Sequence, residues 1–404
     1  MKKILPILIT TLSLASAAQA LDQIVDQKID HKTAPKINWN IAPLVPSDDI
    51  DQTLPEHRSI RLGPTIQIAI LLDTSNSMDG LIAQAKSKIW SIVNELSDAN
   101  LDRKNARIQV ALMEYGNNDN PQHKGYVRLV SHLSSDLDGV SEKLFSLDTN
   151  GGNEYAGRVI NDSLKKLNWS THEDDLRVII IAGNESFKQG NIDYDYAIGR
   201  AVGKGIIVNT IFCGDRHQGI NLSWQDGAEI GNGYYLNIDH NRKVVDIPTP
   251  YDDELRTLNI KLNATYVGFG AEGDKMKQRQ KQQDENTAAM SPAALSDRIQ
   301  SKASRHYENE DWDLVDASKN GLELSAIAEE ALPEPMKKME TSQRKAYIEQ
   351  KSKERKDLQA EIKKLSEKRD SYIQENQTVK QENIFSQQLL KAVKSQAEAK
   401  GYAF

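Results

Sequence analysis

The feature that most constrains this fold is the alternation of short apolar runs with amphipathic segments between residues 65 and 240. Runs such as IQIAILLD and RVIIIAG are almost wholly apolar, which is typical of strands buried on both faces. Between them, segments such as LIAQAKSKIWSIVNEL repeat apolar residues at helical spacing. The pattern predicts an α/β fold, with a doubly wound, mostly parallel open sheet and helices on both faces.

The length of the chain, 404 residues, predicts appendages around the α/β core, because single cores stop growing at about 250 residues. Its N-terminus combines Lys2-Lys3, an apolar run and the ending Ala18-Gln19-Ala20, which predicts a secretory signal peptide. We therefore expect an exported protein of the periplasm or, alternatively, a secreted one. The predicted divisions are a signal peptide at 1–20, an irregular leader at 21–63, the α/β domain at 64–245, a helical and irregular extension at 246–335, and a long charged helix or coiled coil at 336–404.

The C-terminal part of the chain is predicted to be helical. Almost no glycine or proline occurs from about residue 336 to residue 400, which predicts a long helix or a helical hairpin. The best apolar seam in this region consists of Leu358, Ile362, Leu365, Arg369 and Tyr372. Two interpretations stay open: self-association as a coiled coil, or a helix that folds back on the protein or projects from it. A further apolar group around Leu389 and Val393 is interpreted as a packed return segment.

Charge and cysteine content bear on the classes of partner. Residues 337–400 hold 16 Lys and Arg against 10 Asp and Glu, whereas the rest of the chain holds 35 against 48. Because the basic residues of the tail are interleaved with acids, we expect no nucleic-acid partner.

Cys213 is the only cysteine, so an intramolecular disulfide is excluded. No run reaches the ~20 apolar residues of a membrane helix, so no stable membrane span is expected.

The stretch LLDTSNSMDG at residues 71–80 places Asp73, Ser75 and Ser77 at alternate positions directly after the first predicted strand. Ligands of open α/β sheets bind outside the carboxyl ends of the strands, which is where these side chains are expected. All three offer oxygen, which suits a hard cation such as Mg²⁺ better than zinc. Aspartate and serine also commonly cap helices, and the motif alone leaves that alternative open.

Four motifs follow one another along the predicted domain: IAILLDTSNSM with its D-x-S-x-S pattern, NGGNEYAGRVI, RVIIIAG and WQDGAEIGNGYYLNI. Together they resemble the von Willebrand factor type A domain over residues of about 65 to 240. The resemblance implies a metal-ion-dependent adhesion site in which Asp73, Ser75 and Ser77 hold Mg²⁺, with Mn²⁺ or Ca²⁺ as alternatives. A carboxylate of a protein partner would complete the coordination shell.

Two further loops belong to the site by this resemblance, and both depart from the residues that are usual in the family. In the second loop, where the family has Thr or in some branches Glu, Glu154 is the best oxygen donor; its alternative role is a first-turn helix acid. In the third loop the usual aspartate is missing, and Asn184 and Glu185 are the weaker candidates that remain. A degenerate site with little or no metal affinity is the alternative outcome.

Catalytic motifs are missing from the sequence. The patterns H-E-x-x-H, G-x-S-x-G and G-x-x-x-x-G-K-[ST] do not occur, so an enzyme is not expected. We expect an exported binding protein that recognises a protein partner through a divalent cation and an acidic residue of that partner. The alternative is a structural or scaffolding envelope protein with a degenerate metal site, which acts through its helical tail.

Overall fold

The central element of the fold is a six-stranded sheet. The computed structural model describes residues 63–238, 247–376 and 384–404, so the predicted signal peptide and nearly all of the predicted leader lie outside the described residues. The strands, in chain order, are β1 (Thr65–Asp73), β2 (Asn100–Leu101), β3 (Lys104–Asn105), β4 (Arg107–Tyr115), β5 (Arg128–Ser134), β6 (Leu176–Gly183), β7 (Ile207–Cys213) and β8 (Tyr235–Ile238). The sheet order is β5-β4-β1-β6-β7-β8, and β2 and β3 form a separate hairpin. Only the β4–β5 pairing within the sheet is antiparallel, which confirms the predicted mostly parallel open sheet.

Alternation along β1 divides the hydrophobic core between the two faces of the sheet. Ile68 and Leu72 belong to one buried cluster, whereas Ala69 and Leu71 belong to the other. Successive side chains of a strand point to opposite faces, so a central strand that is apolar at nearly every position supplies both clusters. The sequence pattern of β1 therefore requires cover on both sides.

Helices provide that cover. Those between Asp73 and Tyr235 are α1 (Asp79–Glu95), α2 (Leu137–Phe145), α3 (Ala156–Lys166), α4 (Tyr194–Gly203), α5 (Arg216–Asn221) and α6 (Trp224–Ile230). Trp90 of α1 and Val140 of α2 join the cluster that contains Leu72. Val159 of α3 and Ile198 of α4 join the cluster that contains Leu71. The helices lie on both faces, as the doubly wound pattern predicts.

A helical region follows the sheet, as predicted. Its helices are α7 (Asp252–Asn263), α8 (Gly273–Met290), α9 (Pro292–Ala303), α10 (Leu314–Lys319), α11 (Glu334–Lys337), α12 (Thr341–Asn376) and α13 (Ile384–Ala399). The longest, α12, has 36 residues. Among the described residues, no helix combines the length and the apolar character needed to cross a membrane.

The apolar seam predicted in the tail is buried within the chain itself. Leu358, Ile362 and Leu365 pack in one cluster with Leu258 of α7 and Ile299 of α9. Arg369, the charged position of the seam, places its Nε 3.0 Å from the Asp252 carboxylate. The helix therefore folds back on the protein, and this seam is not available for a coiled coil.

A buried ionic cluster fixes the helical region against the α/β part. Arg298 of α9 is fully buried and contacts the carboxylates of Asp138 on α2 and Asp284 on α8, both at 2.6 Å. Its guanidinium lies 4.7 Å from the centroid of the Trp90 ring. Buried charges are tolerated only when they are paired and hydrogen-bonded, so this arrangement specifies how α9 docks on α1 and α2.

The end of the chain returns to the α/β core. Leu389 and Val393 of α13 lie in the same cluster as the strand residue Leu72, so the predicted return segment is confirmed for both. Beyond the helix, the backbone amides of Asn100 and Ala403 donate to each other's carbonyls at 2.9 and 2.8 Å, which forms an isolated antiparallel bridge at the edge of the β2–β3 hairpin.

Candidate functional site

The candidate site lies where three neighbouring parallel strands end. In the sheet register Asp73 at the end of β1 is paired with Tyr115 at the end of β4, and Leu72 is paired with Ala182 near the end of β6. The carboxyl ends of these strands therefore meet at one edge, where the loops that follow β1 and β6 come together. The loop preceding α3 joins them, because the Asn150 amide donates to the Thr74 carbonyl at 3.0 Å.

Asp73 is the buried carboxylate of the site. It has no exposed surface, and its Oδ1 accepts a 2.8 Å hydrogen bond from the amide of Ser75. Its Oδ2 is buried and has no hydrogen-bond partner among the described residues. Burial raises the pKa of Asp73 to about 7, the amide and hydroxyl of Ser75 oppose that rise, and the charge of Glu154 adds to it. The hydrogen bonds of Ser75 and the backbone of Asn184 therefore compensate only in part for the burial of the anionic form.

Ser75 and Ser77 place their hydroxyls side by side. Their Oγ atoms are 3.3 Å apart, with Ser75 buried and Ser77 exposed. The backbone here forms a single 3₁₀ turn, Asn76–Met78, which directly follows Ser75. Ser75 stands at the N-cap position of that turn, but its side chain makes no capping hydrogen bond. The N-cap position of α1 is occupied by Met78, which makes no capping hydrogen bond either. The capping alternative is therefore wrong for Ser75.

Glu154 approaches Asp73 across a glycine. A Cβ on Gly116, which has a φ of +80°, would lie 2.8 Å from Asp73 Oδ1 and 3.0 Å from Glu154 Cγ. Only glycine leaves room for both carboxylate side chains and accepts this backbone conformation readily. Burial raises the pKa of Glu154, and the nearby charge of Glu185 raises it further. The alternative of a first-turn helix acid is wrong, because α3 begins at Ala156.

The third loop contributes an amide where the family usually has a carboxylate. Nδ2 of Asn184 donates to Ser77 Oγ at 3.1 Å, and its Oδ1 is buried without a hydrogen-bond partner in the described parts of the chain. Glu185 is exposed, and its Oε2 accepts a 3.5 Å hydrogen bond from Gln189. Of the two candidates in this loop, Asn184 has the direct contact with the serine pair.

Trp224 holds the third loop in place, which sequence reasoning missed. Its indole Nε1 donates to the carbonyl of Glu185 at 2.7 Å, and its ring packs against Phe187 with centroids 4.5 Å apart. The side chain of Trp224 is buried. The sequence offers no signal that its ring nitrogen would reach a loop 39 residues away.

The site thus gathers oxygen atoms of several kinds. Carboxylates come from Asp73 and Glu154, hydroxyls from Ser75 and Ser77, and an amide oxygen from Asn184. Across the described residues, no group of three or more His, Cys, Asp or Glu side chains is arranged to hold a metal ion. A cation here would therefore depend on the hydroxyl and amide oxygens as well as on the two carboxylates, and such a donor set suits a hard ion.

These features define the class of the domain. A doubly wound sheet with polar loops converging at its carboxyl edge is a ligand-binding α/β domain. Residues 67–223 match the von Willebrand factor type A domain family, and the chain therefore carries a type A domain, followed by a helical C-terminal region. Domains of this family are generally protein-interaction modules, and no enzyme family is identified for the chain.

Solved structures with a similar fold include proteins of several bacteria. The conserved hypothetical protein BatB from Bacteroides thetaiotaomicron is 20% identical, with 43% of this chain and 90% of that chain covered and a TM-score of 0.33. An aerotolerance-related membrane protein from Bacteroides fragilis is also 20% identical, with 43% and 92% covered and a TM-score of 0.30. A von Willebrand factor type A protein from Catenulispora acidiphila is 16% identical, with 44% and 39% covered and a TM-score of 0.32. No curated protein sequence matches this chain.

Proposed function

We propose that the type A domain binds a protein partner through a divalent cation that accepts a carboxylate of that partner. Asp73, Ser75 and Ser77 would hold the ion, together with Glu154 and Asn184. Mg²⁺ is the ion we favour, with Mn²⁺ and Ca²⁺ as alternatives. Glu185, which is exposed, would lie at the rim of the site.

The unpartnered Oδ2 of Asp73 is the observation that carries this proposal. A buried carboxylate oxygen without a hydrogen bond costs free energy, and a cation bound beside it would offset that cost. Asn184 Oδ1, the second unpartnered oxygen, belongs to a side chain that contacts Ser77. Two orphaned oxygens on adjacent loops are the pattern expected around a cation site.

Glu154 compensates for the aspartate that the third loop lacks. Glu154 and Asp73 together supply two formal negative charges, which balance the two positive charges of a divalent ion. The side chains of the serines and of Asn184 are neutral. A single acidic group of a partner can then enter the shell without meeting a cage of carboxylates. Such a site favours acidic groups on the partner over neutral ones.

We also propose that the protein acts outside the cytoplasm, in the periplasm or after secretion. The support for this location is the composition of residues 1–20, with two lysines, an apolar run and Ala18-Gln19-Ala20. Mass spectrometry of the protein recovered from the envelope fraction tests it: a mature N-terminus at Leu21 supports export, and an intact Met1 would contradict it.

Binding of Mn²⁺, followed by the loss of the free-ion electron paramagnetic resonance signal, tests the cation site. We expect one bound Mn²⁺ per chain, displaced by Mg²⁺, and weaker binding after Ser77→Ala. The matched control is Ser146→Ala, because the Ser146 hydroxyl donates to the carbonyl of Lys143, three residues earlier in the chain. If the full chain binds no ion, the cation-dependent function is wrong and the structural alternative stands.

A further inference from the structure

A pair of tyrosines lies directly beside the proposed cation site. Tyr155 follows Glu154 in the chain, and its ring meets the ring of Tyr126 edge to face, with centroids 5.8 Å apart and planes at 68°. Both side chains are half-buried. Neither hydroxyl has a hydrogen-bond partner within the described ranges. Neither is among the buried polar atoms that lack a partner, so both hydroxyls are open to solvent.

The backbone next to the pair packs closely against it. A Cβ on Gly190, which has a φ of +97°, would lie 2.8 Å from Cγ of Tyr155, so the bare glycine backbone packs against that ring. Tyr126 itself has a φ of +57°. Left-handed backbone is unfavourable for a bulky residue and is often found at functional sites. The ring of Tyr155 is therefore packed against the Gly190 backbone and against the ring of Tyr126.

Basic residues flank the tyrosines. Lys124 precedes Tyr126 by two residues, and Lys188 precedes Gly190 by two residues. Both lysines are exposed, and neither takes part in an ion pair in the part of the chain that the structure describes. Beside this surface the site holds the buried Asp73, the half-buried Glu154 and the exposed Glu185, and their three carboxylate charges would exceed the charge of a divalent ion by one. An acidic partner therefore gains from the two lysines an attraction that the ion alone does not supply.

We infer, on the basis of the proposed cation-dependent function, that Tyr126 and Tyr155 form a second contact surface for the same partner. The partner segment would be acidic and would carry an apolar or aromatic side chain next to the carboxylate that binds the ion. Rigid tyrosines with free hydroxyls offer apolar ring area and a hydrogen-bond donor at little entropic cost, and tyrosine is enriched among binding hot spots. Partner selectivity would then come from the tyrosines, and cation dependence from the metal loops.

Fluorescence anisotropy with labelled peptides tests this surface on the full chain. The probes are GSFEGS and GSEFGS, which pair glutamate with phenylalanine, the apolar-free peptide GSGEGS, and the carboxylate-free peptide GSFQGS, each measured with Mg²⁺ and with chelator. We expect at least one phenylalanine–glutamate peptide to bind about tenfold more tightly than GSGEGS, only in the presence of Mg²⁺. We expect the carboxylate-free peptide not to bind.

Variants separate the tyrosine surface from the cation site. Tyr126→Ala together with Tyr155→Ala should remove the preference for phenylalanine while Mg²⁺ binding stays within about twofold of the unmodified chain, which also shows that the domain remains folded. The matched control is Tyr234→Ala, whose ring is 45% exposed outside this surface. Three outcomes would overturn the proposal of the tyrosine surface alone. They are equal binding of GSGEGS and the phenylalanine peptides, no peptide binding despite Mg²⁺ binding, and an unchanged preference for phenylalanine in the double variant. Absence of Mg²⁺ binding would instead overturn the proposed function on which it rests.

Discussion

The hydroxyl of Tyr115 donates a 2.9 Å hydrogen bond to the carbonyl of Ala182 and thereby fills the space above the next residue, Gly183. A Cβ on Gly183 would overlap the Tyr115 hydroxyl oxygen and would lie 3.1 Å from Asp73 Oδ2. An aspartate therefore does not fit at Gly183, the last residue of β6, and the next position is occupied by Asn184. Glu154 of the second loop brings a carboxylate close to Asp73, and the third loop supplies the amide of Asn184.

The first prediction concerns the close approach of the Tyr115 hydroxyl to Gly183. Gly183→Ala should lower the free energy of unfolding by about 1–3 kcal/mol, because the methyl group has no space, and urea denaturation measures the loss. In a Tyr115→Phe background the cost of Gly183→Ala should shrink, since the obstructing oxygen is gone. The matched control is Gly199→Ala, where a Cβ meets nothing within 4 Å. A loss no larger than that of the control would contradict the close packing of the Tyr115 hydroxyl against Gly183.

The second prediction concerns pH and the metal-free protein. Burial raises the pKa of Asp73 from 3.8 to about 7, so the folded state holds a proton that the unfolded chain releases first. Stability from this group is therefore greatest below pH ~4, falls as pH rises through ~7, and is constant above that, with a total loss of at most about 4 kcal/mol. Asp73→Asn removes the titration.

The measurement for this prediction is the difference in unfolding free energy between Asp73→Asn and the unmodified chain in the presence of chelator. That difference should move in favour of the variant between pH ~4 and ~7, because only the unmodified chain pays for the buried charge. A difference that does not change with pH would show that Asp73 ionises as easily in the folded state as in the unfolded chain.

The third prediction concerns the third loop. Asn184→Asp places a carboxylate next to Ser77 and should tighten Mg²⁺ binding by about tenfold, since affinity at oxygen sites rises with the number of charged ligands. Competition with a chelating dye measures the change. Glu185→Gln is the companion variant and should alter affinity far less, because Glu185 is exposed. If Glu185→Gln weakens binding and Asn184→Asp has no effect, the roles assigned to these neighbours are reversed.

The fourth prediction concerns the attachment of the helical region. Arg298→Ala leaves the buried carboxylates of Asp138 and Asp284 without their shared partner and should cost about 3–5 kcal/mol in thermal or urea unfolding. Lys275→Ala removes an exposed ion pair with Glu272 and should change stability by less than about 1 kcal/mol. Similar small losses for both would mean that the helices dock through apolar contacts alone.

Patterns within short segments of the sequence predicted the individual strands, loops and helix faces. The apolar run ending in Asp73 identified a central strand, and the D-x-S-x-S spacing identified its loop, because strand ends and polar clusters are adjacent in the chain. The seam from Leu358 to Leu365 predicted an apolar helix face, but the sequence left open whether this face pairs with another chain, folds back on the protein or projects from it. Ala403 pairs with Asn100 across the whole domain, and no pattern within either segment specifies a partner so distant in sequence.

The sequence predicted which residues form the candidate site better than it predicted how their side chains are arranged in space. Asp73, Ser75 and Ser77 follow from one short motif, whereas the approach of Glu154 depends on Gly116, a residue that becomes informative only when three strands are aligned. The exclusion of an aspartate at Gly183 depends on the Tyr115 ring, which comes from another strand. Such constraints arise from packing between strands, and a single sequence does not display them.

The fifth and most direct test is calorimetric titration of the full chain with Mg²⁺, alongside Asp73→Asn and the control Asp79→Asn. Asp79 lies in the first turn of α1, and its Oδ1 accepts from the Thr149 hydroxyl, so its loss leaves the oxygens of the site in place. We predict one Mg²⁺ per chain for the unmodified protein and for Asp79→Asn, and no measurable binding for Asp73→Asn. Absence of binding in all three, or equal binding in all three, would contradict a cation site built on Asp73.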